Sequence, residues 1–356
     1  MTSSPKHLKD YLLIVLEKNA SDLHLAVGAS PQIRIDGDLI PVGEEPLNRE
    51  LCKKLCYEAM TPEQAKQFEK EWEIDLGIDC EGKARFRVNL SMERGNVTGA
   101  FRPIAVKIPT PEELGVPDVA MSLTSKPRGL VLVTGPTGSG KSTTLAAMIN
   151  RINDTRSEHV ITIEDPIEYW HPSKKCLVVQ REVEHDTLSF SAALKRILRQ
   201  DPDVVLVGEM RDIETIATAI TVSETGHLVF ATLHTNTAVQ TINRIIDVFP
   251  PHQQPQIRTQ LSFIIEGVLS QQLVPKIGGG RVLVMEIMFP TMAIRNLIRE
   301  NKIHQIYAIM QTGQQKTGMQ TMNQALAEMV RNKKITRESA LGFATEVDEI
   351  ERLLKG

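Results

Sequence analysis

The sequence predicts two domains, a small α+β domain followed by an α/β domain with a parallel sheet, and then a helical C-terminal region. Three observations predict this. The chain has 356 residues, too long for one ordinary core and comfortable for two. The first stretch alternates polar and apolar residues around turn signals, as antiparallel strands do. From about residue 119, short apolar runs alternate with helical stretches, the pattern of a parallel sheet covered by helices.

In order along the chain, residues 6–19 read as a helix whose "YLLIVL" is a buried stripe. "SDLHLAVG" and "PQIRIDGDLIPV" read as strands with a turn at Asp36-Gly37. "LNRELCKKLCYEAM" and "TPEQAKQFEKEWE" are amphipathic helices, and "DLGID", "ARFRVNLSME" and "VTGAFRPIA" are strands. These make a first domain over residues 1–107. "KIPTPEELGVP", with three prolines and a glycine, marks a linker over 108–118. Residues 119–290 carry "GLVLVT", "HVITIE", "CLVVQ", "DVVLV", "HLVFATL" and "RVLVMEI" as strands, with "GGG" at 278–280 as a hairpin turn. Residues 291–356 read as wholly helical.

Composition excludes several classes. Charged residues are 24% and apolar residues 41%, which fits a soluble globular protein. The formal net charge is −3, so no global basic field draws the chain onto nucleic acid. Aromatics at 4% leave little for stacking single-stranded bases. There is no apolar run of 18 residues and no signal peptide, so direct insertion into a membrane is not expected. Cys52, Cys56, Cys80 and Cys176 form no CxxC pair or zinc spacing, and are expected to be reduced in a cytoplasm.

"GPTGSGKS" completes GxxxxGK[ST] from Gly135 to Ser142, after an apolar strand and before a helix-forming run. Gly135, Pro136, Thr137, Gly138, Ser139 and Gly140 would turn backbone N–H groups around phosphates, and the helix start through Thr143 adds its positive dipole end. Lys141 would reach the β- and γ-phosphates, and the Ser142 hydroxyl would ligate Mg²⁺, so ATP and Mg²⁺ are the expected ligands.

Ligands of open α/β sheets bind beyond the carboxyl ends of the strands. Here those ends carry the phosphate loop, Glu164, Glu209 and His234. Glu209 ends a Walker B-like strand, where an Asp usually serves the metal; the longer Glu suits contact through a metal-bound water. Glu164 is then the candidate base, against the plainer role of capping the turn before Pro166. Asp165 and Glu168 stand close enough to share that work. His227 and His234 flank one strand about 23 Å long, so both cannot meet the same γ-phosphate. His234, at the carboxyl end, is the candidate γ-phosphate sensor, and His227 is expected to touch a neighbouring element or subunit.

Arg87 and Arg102 lie on strands joined near "MERGN". If the turn centres between Arg94 and Gly95, the two arginines pair directly. Like charges so placed are destabilising unless an anion lies between them, and a triphosphate is such an anion. The plainer alternative is a solvated arginine face that includes Arg85.

Taken together, "GPTGSGKST", "TIEDPIEY", "QDPDVVLVGEMRD", "ETGHLVFATLHT" and "AIRNLIRE" resemble the type IV pilus retraction ATPases among the secretion-type hexameric ATPases. The resemblance runs nearly end to end. It implies a PAS-like first domain, a RecA-like P-loop ATPase domain, and a ring of six. It implies that Glu164 is the catalytic glutamate, Glu209 the Walker B acid, His227 and His234 members of a histidine box, and Arg87 and Arg102 ligands of the γ-phosphate. It also implies an inner-membrane pilus platform protein as partner, leaves room for a paralogous retraction ATPase as another, and implies a place at the cytoplasmic face of the inner membrane. Ala293, Ile294, Arg295, Asn296, Leu297, Ile298, Arg299 and Glu300 are similar to a segment needed for retraction. Its spacing suggests a helix that buries Ile294, Leu297 and Ile298 and presents Arg295, Arg299 and Glu300. The resemblance to pilus extension ATPases is confined to the ATPase core, and neither their additional N-terminal domain nor their tetracysteine site is expected here. The chain's tail and "SQQLVPK" also suit the accessory retraction paralogue, and the other readings are a secretion-type assembly ATPase, a DNA translocase or a nucleotide-gated scaffold.

Overall fold

The computed structural model describes residues 7–35, 37–104 and 107–355, leaving aside the side chains of 314–316. Asp36, half of the predicted turn, lies outside the described residues, as do the first residue of the predicted 6–19 helix and the last of the "VTGAFRPIA" strand. The chain divides into two compact units, Met1–Lys107 with Glu168–Trp170, and Ile108–Ile167 with His171–Gly356.

The first unit contains α1 (Leu8–Glu17), β1 (Asp22–Leu25), β2 (Gln32–Ile35), β3 (Asp38–Pro41), α2 (Arg49–Tyr57), α3 (Pro62–Glu71), β4 (Glu73–Cys80), β5 (Ala84–Glu93) and β6 (Asn96–Ile104). Its sheet runs β3-β2-β1-β6-β5-β4, every pairing antiparallel. Helix α1 buries Leu8, Tyr11, Leu12 and Val15, the i, i+3, i+4, i+7 stripe that "YLLIVL" predicts. A capping box closes the start of α3: Thr61 accepts from the Gln64 N–H, and Gln64 accepts from the Thr61 N–H. Along β5 the buried residues alternate, Ala84, Phe86, Val88 and Leu90, which leaves Arg87 on the outer face.

The second unit contains α4 (Pro111–Leu114), α5 (Asp118–Met121), β7 (Gly129–Thr134), α6 (Lys141–Thr155), β8 (His159–Glu164), β9 (Leu177–Glu182), α7 (Phe190–Ile197), β10 (Val204–Val207), α8 (Ile213–Glu224), β11 (Leu228–Leu233), α9 (Ala238–Asp247), α10 (Gln254–Ile264), β12 (Ile265–Pro275) and β13 (Arg281–Met288). Among the described residues α-helices follow: α11 (Met292–Arg299), α12 (Ile306–Thr317), α13 (Met322–Arg331), α14 (Arg337–Phe343) and α15 (Val347–Lys355), with a 3-10 turn over Ile303–Gln305. The sheet order is β13-β12-β7-β11-β10-β8-β9. Every pairing from β12 to β9 is parallel and β13 closes one edge antiparallel to β12.

Alternate residues of each strand feed cores on opposite faces. Leu130, Leu132, Ile161, Ile163, Val205 and Val207 pack with α7 to α11, while Val131, Val133, Val160 and Phe230 pack with α5 and α6. Both faces being covered, the strands read as continuous apolar runs, and all six residues of β7 are buried.

Three details differ from the expectations. The linker stretch holds a helical turn, α4, closed by a capping box between Thr110 and Glu113 and ended by Gly115 in the left-handed region (φ 74°). The sheet is not purely parallel, because of β13. Strand β12, eleven residues long, is absent from the sequence reading. It follows α10 with no intervening residue, and the nearest glycine, Gly267, lies inside the strand at a break in its register with β7, so no loop marks the change of period.

Candidate active site

The phosphate loop follows β7 directly. Gly135 has φ 141°, and a Cβ there would stand 2.3 Å from the Gln271 carbonyl oxygen, so only glycine fits. Pro136, Thr137 and Gly138 are exposed at the crest, while Ser139 is buried. Gly140 (φ 88°) is the N-cap of α6 and supplies no capping side chain, so the helix begins at Lys141, directly behind the loop. The Lys141 ammonium donates to the carbonyls of Gly135 and Pro136, at 2.9 and 3.1 Å. The cradle therefore has the backbone form that an anion requires, with its lysine folded onto the loop.

Strand order brings the chemistry to one edge. Strands β7, β11, β10 and β8 are consecutive neighbours, and they end in Thr134, Leu233, Val207 and Glu164. With neighbours about 4.8 Å apart, the four ends span roughly 14 Å. Gly208 permits a close approach of β10 to β8: a Cβ there would stand 3.2 Å from the Glu164 Cα. Glu164 accepts from Thr162 Oγ1 at 2.6 Å and from Gln180 Nε2 at 3.1 Å, so its carboxylate is held toward β9. The Asp165-Pro166 peptide bond that follows is cis.

Glu209 is gripped by two partners. Arg211 donates through Nε (2.7 Å to Oε1) and Nη2 (2.8 Å to Oε2), a bidentate fork, and His234 Nε2 stands 3.1 Å from Oε1. Burial pushes the Glu209 carboxyl up, but these two partners outweigh it and hold it below the usual range. Asp212 is the residue that caps a helix here, accepting from the Thr215 N–H at the start of α8. His227 lies at the other end of β11, its Nδ1 3.1 Å from the Val222 carbonyl and 3.1 Å from Thr225 Oγ1. It closes the end of α8 and stands apart from the strand-end cluster.

In the first unit, Arg87 pairs directly with Arg102, the register set by a two-residue turn in which Arg94 (φ 50°) and Gly95 (φ 75°) are both left-handed. Both arginines are exposed. Sequence reasoning missed Asp22, whose buried carboxylate accepts from Arg102 Nε at 2.8 Å. This unit thus supplies its own anion for Arg102, while Arg87 makes no ion pair among the described residues.

The 293–300 segment forms α11 and its C-cap. Ile294 and Ile298 are buried and Leu297 is half-buried. Arg295 departs from the expectation that it faces outward. Its guanidinium donates to the carbonyls of Ser262, Phe263 and Pro290 and pairs with Glu266 at 2.8 Å, because the end of α10 leaves carbonyls there to be satisfied. Ala293, Asn296 and Glu300 are exposed, and Arg299 lies over the Phe263 ring, 5.5 Å from its centroid.

Comparison with known proteins identifies the family. The family model for "Type II/IV secretion system protein" matches residues 3–347. The type IV pilus retractation ATPase PilT of Pseudomonas aeruginosa is 51% identical over 333 residues, covering 94% of this chain and 96% of that protein. A twitching motility protein of Neisseria gonorrhoeae is 48% identical over 312 residues, covering 87% and 83%. The crystal structure of the pilus retraction motor PilT with bound ADP superposes with a TM-score of 0.90 at 50% identity, covering 97% of this chain and 98% of that one. The chain belongs to the type II/IV secretion system protein family, alongside the type IV pilus retraction ATPases.

Proposed function

We propose that this chain is an ATPase that hydrolyses ATP to power retraction of type IV pili, working as a ring of six. The observation that carries the chemistry is the shared strand edge, where the loop 135–143, Glu164, Glu209 and His234 end four adjacent strands. The retraction ATPases among its relatives carry the mechanical part.

Each residue has a distinct task in this reading. The loop N–H groups and Lys141 bind the phosphates. Ser142 and, through water, Glu209 would hold Mg²⁺; a hydroxyl and a carboxylate are the hard oxygen donors that this ion takes. Mg²⁺ would neutralise charge on the β- and γ-phosphate oxygens. Glu164, oriented by Thr162 and Gln180, takes the proton of the attacking water. Arg87 and Arg102 meet the γ-phosphate and release after hydrolysis, which turns bond cleavage into motion. The outer face of the 293–300 segment is the part that reports to retraction. The partners in this reading are an inner-membrane pilus platform protein and a paralogous retraction ATPase. No described helix is long and apolar enough to cross a membrane, so the place at the cytoplasmic membrane face depends on that platform.

The experiment is steady-state ATP hydrolysis with nucleotide binding measured in parallel. Lys141→Ala loses both. Glu164→Gln keeps binding and loses turnover by about 10²–10⁴-fold, the worth of a positioned base. Normal hydrolysis in Lys141→Ala removes the phosphate-loop reading, and normal turnover in Glu164→Gln beside an inactive Glu209→Gln reverses the two carboxylates.

A further inference from the structure

Strand β12 outruns the strand it supports. Its Ser270 pairs with Thr134, the last residue of β7, and the two hydroxyls are joined at 2.8 Å. The next residue, Gln271, therefore lies level with the phosphate loop. It is wholly buried and touches the loop at both ends. Its main-chain carbonyl lies directly under Gly135, within 2.3 Å of where a Cβ would be. Its side-chain Nε2 donates to the Ser139 carbonyl at 2.7 Å, and the same nitrogen stands 3.4 Å from a Cβ built on Gly140.

A glutamine here is costly. Gln271 Oε1 has no hydrogen-bond partner although buried, and neither has the neighbouring Ser139 Oγ. Unpaired buried polar atoms destabilise a fold, and an apolar side chain of the same size would avoid the cost. What the amide supplies in exchange is a fixed distance between the sheet and the crest of the loop. The Ser139 carbonyl must turn away from the concavity if the adjoining N–H groups are to face phosphates. Nε2 is the donor that turns it away.

We infer that Gln271 is a positioning residue for nucleotide binding: its side-chain amide pins the Ser139 carbonyl beneath the loop, so that the N–H groups of Gly138 and of residues 140–142 are preorganised for the phosphates of ATP and ADP. The inference rests on the reading of residues 135–143 as a nucleotide cradle. Gln271 touches no reacting atom. It acts on ground state and transition state alike, so its loss raises KM and leaves kcat in place.

The test uses the full chain and MgADP binding by calorimetry, with ATP hydrolysis alongside. Gln271→Met keeps length and removes the donor. We expect MgADP affinity to fall, and KM for ATP to rise, by about 5- to 30-fold, the worth of one buried hydrogen bond and the carbonyl left unpaired. kcat stays within about twofold, and the nucleotide-free melting temperature falls modestly, since the Ser139 carbonyl loses its donor while the unpaired Oε1 is removed with it. Gln271→Asn, with its amide drawn back by one methylene, gives an intermediate loss and decides the matter if the methionine variant does not fold. Unchanged KM and MgADP affinity in the variants that fold would overturn the inference, even if their melting temperatures drop. Failure of the underlying reading looks different: wild type would not bind MgADP, or Lys141→Ala would bind it as well as wild type.

Discussion

His234 Nε2 stands 3.1 Å from Glu209 Oε1, which ties the end of β11 to the end of β10 at the edge where the phosphate loop opens. In this protein the histidine holds a carboxylate, whatever it does toward a γ-phosphate. His234→Ala removes one charge-assisted partner and leaves Arg211. A hydrogen bond of that kind is worth about 1.5–3 kcal/mol, so turnover is expected to fall about 10- to 100-fold. His234 contacts no part of residues 135–143 among the described hydrogen bonds. ADP affinity should therefore stay near wild type. A binding titration with ADP beside a hydrolysis assay checks both halves; an equal loss in each would make His234 part of the nucleotide pocket instead.

The paired arginines are separable because only one of them is tied to its own unit. Arg102 holds the buried carboxylate of Asp22, and Arg87 holds no carboxylate among the described residues. Both substitutions to Ala are expected to cut turnover at least about tenfold with ADP binding intact, since only ATP presents a γ-phosphate. Arg102→Ala alone should also lower the melting temperature, because it strands a buried acceptor at a cost of about 1–3 kcal/mol. Thermal denaturation of the two variants side by side reads this difference. Equal stability, or full activity in Arg87→Ala, contradicts it.

What the sequence made legible was local. The phosphate loop announces itself because glycines at fixed spacing are needed by the backbone, and a two-residue turn at Arg94-Gly95 fixes the register that sets Arg87 against Arg102. What stayed hidden depends on long-range contacts. Asp22 meets Arg102 from another strand, and Gln271 meets Ser139 from a strand that was itself unread, because α10 passes into β12 with no loop between them. The inward turn of Arg295 was equally out of reach. Helical spacing says which residues share a face, but not that a neighbouring helix ends there with its carbonyls unsatisfied.

The inward turn of Arg295 makes the two arginines of the 293–300 segment unequal. Arg295 satisfies three carbonyls and pairs with Glu266, whose other oxygen meets Lys126 at 2.7 Å. Arg295→Ala is expected to destabilise the second unit by about 2–4 kcal/mol, since it leaves several partly buried acceptors without a donor. Arg299→Ala loses mainly a cation–π contact on an exposed ring, worth about 0.5–1 kcal/mol. Urea unfolding distinguishes them. A retraction defect in Arg299→Ala at normal stability and normal ATP hydrolysis would mark a partner surface; the same defect in Arg295→Ala would report damage to the fold.

Glu286 gives the molecule a pH dependence of calculable sign. It is almost fully buried on β13 and accepts from the N–H of Ala238, at the start of α9, and of Met322, at the start of α13 (2.7 and 3.2 Å). Burial pushes its carboxyl up to about 7, against the pull of these two N–H groups and with a further push from Glu349. The folded chain therefore holds this proton more tightly than the unfolded chain does, whose carboxyl titrates near its ordinary 4.5. Between those two values the native state binds more protons, so stability falls as pH rises through the window and is level on either side of it. At about 1.4 kcal/mol per unit, the loss from this one group is on the order of 3 kcal/mol. Glu286→Gln keeps one acceptor and cannot ionise. It should start less stable than wild type at pH 5, through the weaker cap, and recover most or all of that deficit by pH 8. Urea unfolding of both proteins at pH 5, 6, 7 and 8 measures the difference, and a difference that stays constant across the series would show that Glu286 does not change its charge there.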